Sequence, residues 1–160
     1  MTELHDLTAL ELGALVRRRE ASPAELAEHF LAREDRFGAF VTTTPDLALE
    51  RARALPVEGT SPLYGVPTAI KDLNLTAGVR TTFGSRVFAD FVPDVSDNVV
   101  LAMEQAGLVS LGKTSTPEFG SPCYTEPDDL PPAVTPWDPT RMAGGSSGGA
   151  GAAVSARLVP

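Results

Sequence analysis

Glycine and proline are distributed very unevenly along this chain, and that asymmetry limits what it can fold into. Of its 14 glycines and 14 prolines, six lie in residues 1–60 and the other 22 in residues 61–160. Both residue types weaken the interior of a regular helix, so helices of ordinary length are favoured mainly in the first part. The second part must consist of short elements joined by many turns.

The first 60 residues carry the start signals of helices. Thr8 and Glu11 have the spacing of a capping box, and residues 22–25 (SPAE) repeat the signal with proline in the first turn. A third short helix is predicted over residues 46–55. We therefore expect residues 1–60 to form a helical N-terminal segment.

The remaining residues predict an α/β fold. Two short apolar runs, residues 68–73 and 108–111, are typical of buried strands. Between them, residues 97–106 predict a helix that Gly107 ends. A strand, a helix and a strand in this order favour a parallel pair of strands. Residues 115–143 are interpreted as one long ordered loop.

Composition excludes several classes of function. The formal net charge of −8 argues against a nucleic-acid binder, which needs a basic face. No apolar run is long enough to span a bilayer, so no membrane association is expected. The single cysteine, Cys123, fits a reducing cytoplasm. With only two histidines besides, a Cys/His zinc site is not expected.

Lys113 lies in two short patterns that admit other functions. Residues 107–114 (GLVSLGKT) match the P-loop pattern, which leaves a nucleotide- or anion-binding module as an alternative. Their middle residues are strand-like, however, and an extended strand over 108–111 would remove that alternative. Ser110 and Lys113 also match S-x-x-K, but a strand would turn these side chains to opposite faces.

Lys71 and a glycine-rich run are the stronger candidates for chemistry. Burial lowers the pKa of a lysine, and a neutral lysine can act as a base, although Lys71 could instead pair with Asp72. Residues 144–149 (GGSSGG) allow unusual backbone angles and lead into small residues that can start a helix. The alternative is a flexible linker. A serine bonded to a neutral lysine is a known nucleophilic arrangement.

Four segments in this order resemble the amidase signature enzymes. They are residues 65–72 (GVPTAIKD), 112–119 (GKT followed by PEF), 135–138 (TPWD) and 144–149 (GGSSGG). The resemblance implies the α/β amidase signature fold, a mixed β-sheet flanked by helices, with only its N-terminal portion present. Residues 61–160 would form the first part of that core.

The resemblance also implies a reaction, the hydrolysis of carboxylic amides to acid and ammonia or amine through an acyl-enzyme. Lys71 would be the base of a Ser-Ser-Lys triad, and Ser146, held by a cis peptide bond, its bridging serine. No metal or organic cofactor is implied. The expected partner is a small-molecule amide, and a homodimer is compatible with the family. Expected substrate-pocket residues are Gly120, Ser121, Gly144, Gly145 and Ser147.

One departure from the family pattern affects the expected activity. In the family, the nucleophilic serine lies in a second glycine-rich segment, which residues 1–160 do not contain. We therefore expect an N-terminal fragment that is inactive alone, the alternative being a non-catalytic amidase-like subunit. The subunit that transfers amide groups on charged tRNA shares the signature. The stretch 128–132 (DDLPP) looks more like the general amidases.

Overall fold

The structure is a computed structural model that describes residues 2–56, 59–128 and 130–160. Within these ranges the chain is a mixture of short helices and strands. The α-helices are α1 (Ala9–Arg17), α2 (Pro23–Leu31), α3 (Pro45–Ala54), α4 (Asn98–Gln105) and α5 (Gly148–Ser155). The strands are β1 (Phe40–Thr43), β2 (Pro67–Lys71), β3 (Val109–Thr114), β4 (Val134–Thr135) and β5 (Asp138–Met142).

The N-terminal helices begin where the capping signals predict. At the start of α1, the Thr8 hydroxyl accepts a hydrogen bond from the N–H of Glu11, whose carboxylate accepts from the N–H of Thr8. Ser22 and Glu25 form the same reciprocal pair at α2. The helix α3 starts and ends one residue before the predicted bounds. The capping predictions are therefore confirmed.

The main sheet has three strands in the order β1-β3-β2. The strands β2 and β3 run parallel, as predicted, and their register aligns Lys71 with Thr114. The strand β1 pairs antiparallel with β3. It lies among residues expected to be helical, so that expectation is wrong for residues 40–43. Its short FVTT sequence has strong β propensity but is too brief to stand out in the sequence.

The connection from α4 to β3 decides the P-loop alternative. Gly107 has φ of +80°, the left-handed conformation that ends the helix, as predicted. The strand β3 then runs from Val109 to Thr114 and buries Lys113, whose side chain is 1 % exposed. A P-loop would need this segment to be a loop with its lysine free to reach phosphate. The strand therefore removes the P-loop alternative.

The segment 115–143 is more structured than the predicted loop. The strands β4 and β5 form an antiparallel hairpin that aligns Thr135 with Asp138. Trp137 lies in the turn between them and is 81 % exposed. The prediction of a loop throughout is therefore wrong for this hairpin. In the stretch 128–132, Asp129 lies outside the described residues.

The hydrophobic core joins the N-terminal helices to the sheet and to α5. Its fully or almost fully buried members include Leu12, Leu26, Phe30, Val66, Val109, Leu111, Ala152 and Ala153. This packing fixes α5 against the sheet, and with it the start of that helix beside the end of β2. Of the helices formed by the described residues, none combines the length and apolar character needed to cross a bilayer.

Candidate active site

Lys71 lies at the carboxyl end of β2, where its side chain meets the glycine-rich segment. Its Nζ donates hydrogen bonds to Ser146 Oγ at 2.8 Å and to Ser147 Oγ at 2.9 Å. The structure thus brings together residues more than seventy positions apart in the sequence. Lys71 and Ser146, the two residues expected to be catalytic, are in direct contact.

The surroundings of Lys71 suit a base. Partial burial lowers the pKa of its amine, since removal from water disfavours the ammonium form. Asp72, the alternative partner considered from the sequence, lies near Lys113 instead. The lysine amine therefore contacts two neutral hydroxyls, and no hydrogen bond to the Asp72 carboxylate holds it in the charged form.

Lys113 and Asp72 form a separate buried pair. Lys113 Nζ donates to the carbonyl oxygen of Asn74 and to Thr81 Oγ1, both at 2.7 Å, and lies 3.6 Å from Asp72 Oδ1. The other carboxylate oxygen, Oδ2, accepts from the N–H and hydroxyl of Thr82. Burial lowers the pKa of the Lys113 amine, and the Asp72 carboxylate opposes this effect. With its amine engaged in this way, Lys113 has a structural role.

The S-x-x-K pattern does not form a site. The hydroxyl of Ser110 donates to the carbonyl oxygen of Gly112 at 3.3 Å. Lys113 Nζ, by contrast, contacts Asn74 and Thr81. The expectation that a strand separates these two side chains is confirmed, because both residues lie on β3.

The glycine-rich segment is tightly packed, so the flexible-linker alternative is wrong. Its peptide bond between Gly145 and Ser146 is cis, and Gly144 has φ of +84°. A Cβ on Gly145 would lie 2.6 Å from the backbone nitrogen of Tyr124. A Cβ on Gly149 would lie 2.3 Å from the backbone nitrogen of Ser115. Each of these glycines is therefore required by backbone conformation or by close approach of another segment.

The helix α5 starts directly after the two serines, as the run of small residues predicts. Gly149 N–H in its first turn donates to the carbonyl oxygen of Ser115 at 3.2 Å. Its buried face includes Ala152 and Ala153. The helix therefore anchors the serines to the core on their C-terminal side.

The expected pocket residues differ in how close they lie to the two serines. Ser147 contacts Lys71 directly. A Cβ on Gly120 would lie 3.7 Å from Ser146 Oγ, so this glycine borders the serine. Gly144 and Gly145 precede Ser146 in the chain. Ser121 is exposed, and its N–H donates to the carbonyl oxygen of Glu118. That these five residues contact a substrate remains a prediction.

Sequence reasoning missed two threonines that hold the serine segment. Thr116 Oγ1 donates to the carbonyl oxygen of Ser146 at 3.2 Å, and Thr125 Oγ1 donates to that of Gly144 at 3.0 Å. Both threonines are buried. They lie in a proline-rich stretch whose sequence has no periodic pattern. What distinguishes them is the burial of their hydroxyls, and the sequence does not reveal that burial.

Comparison with known proteins identifies the family. The sequence profile described as Amidase matches residues 25–160. The chain belongs to the amidase signature family. The contact of Lys71 with Ser146 and Ser147 therefore lies within the part of the chain that the Amidase profile matches.

Similar proteins extend this amidase assignment. The chain is 46% identical over 158 residues to a glutamyl-tRNA(Gln) amidotransferase subunit of Aromatoleum aromaticum, covering 94% of this chain and 32% of that protein. The corresponding subunit of Moorella thermoacetica is 44% identical over 163 residues, with 96% and 34% covered. The chain thus spans about a third of the length of these relatives.

Solved structures agree with the amidase fold. A 6-aminohexanoate cyclic dimer hydrolase matches with a TM-score of 0.89 at 32% identity, over 99% of this chain and 33% of the other. A bacterial aryl acylamidase of the amidase signature family matches with a TM-score of 0.87, also at 32% identity, over 96% and 34%. The mixed α/β fold is therefore that of amidase signature enzymes, of which the chain covers about a third.

Proposed function

We propose that this chain supplies the base and the bridging serine of an enzyme that hydrolyses carboxylic amides through an acyl-enzyme. Lys71 is the base and Ser146 the bridging serine. The observation that carries the proposal is the 2.8 Å contact between Lys71 Nζ and Ser146 Oγ. A hydrogen bond of this length is the geometry that proton transfer requires.

The proposed reaction uses Lys71 as a neutral amine. The amine takes a proton from the Ser146 hydroxyl while Ser146 Oγ takes one from a nucleophilic serine, whose oxygen attacks the amide carbonyl. When the C–N bond breaks, the same two groups return a proton to the leaving nitrogen. Water then attacks the acyl-enzyme and releases the acid. The lowered pKa of Lys71 supports this role because it increases the neutral fraction at moderate pH.

The nucleophile is the part of this proposal that residues 1–160 do not supply. Ser155 Oγ donates to the carbonyl oxygens of Gly151 and Ala152 within α5, an arrangement that does not suit a nucleophile. We propose that the nucleophilic serine belongs to a further glycine-rich segment and that residues 61–160 are the first part of the catalytic core. The chain alone is then inactive. The alternative, a non-catalytic amidase-like subunit, would also be inactive, so inactivity alone does not distinguish the two.

A second candidate is the amide-transfer subunit that acts with tRNA. The 46% identity to an amidotransferase subunit favours it over the preference for a general amidase drawn from residues 128–132. In both candidates the substrate of the proposed site is a small amide, and we propose a cytoplasmic location. A homodimer fits the general amidase, whereas the transfer reaction would require other subunits.

The test is a chimera in which this chain replaces the matching third of the Aromatoleum aromaticum relative. Lys71→Ala and Ser146→Ala are each expected to lower kcat for amide hydrolysis by about 100-fold or more, since they remove the base and the proton relay. Ser155→Ala is the matched control and should retain activity. Unchanged turnover in Lys71→Ala would reject the role of the base. Comparing glutamine with simple aryl amides as substrates separates the two candidates.

A further inference from the structure

Thr125 joins the residues on either side of the two serines. Its side chain is fully buried. Its Oγ1 donates to the carbonyl oxygen of Gly144 and accepts from the N–H of Gly148, both at 3.0 Å. One hydroxyl thus connects the start of the serine segment to the first residue of α5.

We propose that Thr125 is a positioning residue that holds Ser146 and Ser147 against Lys71. The importance of this position for catalysis rests on the proposed function. The hydrogen bonds of Thr125 are observed whether or not that function is correct. With Gly144 and Gly148 both bonded to one buried hydroxyl, the span between them is fixed. The two serines of that span then have little freedom to move away from the lysine amine.

The packing around Thr125 supports a specific role for its hydroxyl. A Cβ on Gly148 would lie 2.5 Å from Thr125 Oγ1, so only glycine allows this approach. Loss of the hydroxyl would remove one partner of the half-buried Gly144 carbonyl and the partner that the buried Gly148 N–H has in Thr125. A buried N–H left without a hydrogen bond costs more free energy than the loss of an exposed hydrogen bond. The serine segment would be expected to shift in order to reach new partners.

Thr125 is itself fixed from the other side. Its carbonyl oxygen accepts from the N–H of Ala133 at 2.9 Å, and the carbonyl oxygen of Ala133 accepts from the N–H of Ala143. Ala133 and Ala143 flank the β4–β5 hairpin. Hydrogen bonds therefore connect the β4–β5 hairpin through Thr125 to the serine segment.

The test uses the 160-residue chain with lysines labelled with ¹³C at Cε. Since the chain has two lysines, the spectrum contains two side-chain signals, and Lys71→Arg assigns them. Three variants are compared: Thr125→Val removes the hydroxyl, Thr125→Ser keeps it, and Thr114→Val is the control. Thr114 is 1 % exposed and its hydroxyl has no hydrogen-bond partner, although it is the register neighbour of Lys71.

The expected result is a change confined to Thr125→Val. Once the serines move away, water reaches the Lys71 amine and its titration midpoint should rise towards that of a free lysine. Thr125→Ser and Thr114→Val should leave the midpoint unchanged. If Thr125→Val lowers the thermal midpoint but leaves the Lys71 titration unchanged, the threonine is merely structural and the proposal is overturned. A shift in Thr125→Ser as large as that in Thr125→Val would also overturn it.

The Thr125→Ser variant and hydrogen exchange at Gly148 N–H provide two further tests. If Thr125→Val does not fold, Thr125→Ser decides, because a retained hydroxyl must preserve the wild-type Lys71 midpoint and slow hydrogen exchange at Gly148 N–H. Rapid exchange at Gly148 in the unmodified chain contradicts the proposal directly. None of these measurements involves turnover, so they stand apart from the kinetic test of Lys71 and Ser146 in the chimera.

Discussion

At the scale of single residues, the chain uses its two lysines in opposite ways. Lys71 is partly exposed and contacts two hydroxyls, whereas Lys113 is almost fully buried beside a carboxylate. The same side chain is a candidate base in one place and a structural cation in the other. The difference follows from their surroundings. Lys113 lies beside the Asp72 carboxylate, which balances its charge, whereas Lys71 lies against two neutral hydroxyls.

Replacing the buried Lys113 should destabilise the chain far more than replacing the half-buried Lys71. Lys113→Met leaves the Asp72 carboxylate buried without its counter-charge, and the free energy of unfolding is expected to fall by about 3–5 kcal/mol. Lys71→Met, the matched control, leaves only two hydroxyls that water can reach and should cost much less. Urea denaturation of both variants measures the difference, and equal losses would contradict this account of the pair.

A histidine pair predicts how stability depends on pH. His5 Nδ1 and His29 Nε2 are 3.0 Å apart and the rings stack. Burial, with the nearby charges of His5 and Arg33, lowers the pKa of His29 below 6.5, and Glu3 opposes this. The unfolded chain therefore binds the proton more readily, so stability is complete above 6.5 and is lost as the pH falls through the folded-state pKa.

The measurement for this pair is the urea midpoint at about pH 8 and about pH 5, on either side of the ordinary histidine pKa. The midpoint should be lower in acid. His29→Gln should show a smaller decrease over the same interval, because the titrating group is gone. An identical pH dependence in the variant would assign the effect to other groups.

At the scale of elements, α5 combines a glycine that the packing requires with one that it does not. A Cβ on Gly149 would meet the backbone of Ser115 at 2.3 Å, whereas the nearest atom to a Cβ on Gly151 is the carbonyl oxygen of Ala143 at 3.9 Å. Both residues lie in the same helix. Position in the helix alone therefore does not determine which glycine can be replaced.

Two alanine substitutions in α5 should act in opposite directions. Gly151→Ala is expected to stabilise the chain by about 0.5–1 kcal/mol, since alanine restricts the unfolded backbone and favours helix. Gly149→Ala forces backbone atoms apart and should destabilise it by about 1–3 kcal/mol. Thermal unfolding followed by circular dichroism measures both. A stabilised Gly149→Ala variant would contradict the close approach of Ser115.

Elements with strong local signals could be predicted from the sequence, and elements that depend on distant partners could not. The capping residues Thr8 and Ser22 correctly marked two helices, and Gly107 correctly marked the end of another. The strand β1 and the β4–β5 hairpin were missed because their few residues are specified mainly by pairing.

The candidate site was predictable in part for the same reason. Lys71 and Ser146 belong to motifs that the sequence displays, and in the structure they lie within hydrogen-bond distance of each other. Thr125 belongs to no such motif, and its role depends on a fold that brings residue 125 beside residues 144 and 148. The pairing of Lys113 with Asp72 likewise depends on the order of strands in the sheet.

At the scale of the whole molecule, the charge of the chain bears on the second candidate function. Its net charge is −8, although its relatives include subunits named for a tRNA-dependent reaction. Phosphate binding requires clustered cations, and the chain has 13 lysines and arginines against 21 acidic residues. These 160 residues are therefore poorly suited to hold tRNA by themselves.

The chain alone should not bind tRNA measurably. A filter-binding assay at about 50 mM salt favours any electrostatic association and is therefore a stringent test. The intact Aromatoleum aromaticum relative serves as the reference protein in the same assay. Retention of tRNA that weakens as salt rises would show a phosphate-binding surface that the overall charge conceals.

The position of β3 between its two partners has a consequence for how the chain acquires its shape during synthesis. Both β1 and β2 precede β3 in the sequence, yet each pairs with it. During translation neither earlier strand has its partner until residue 114 has left the ribosome, whereas α1, α2 and α3 can form from local contacts as they emerge. The sheet, and with it the end of β2 that carries Lys71, therefore forms after these three helices.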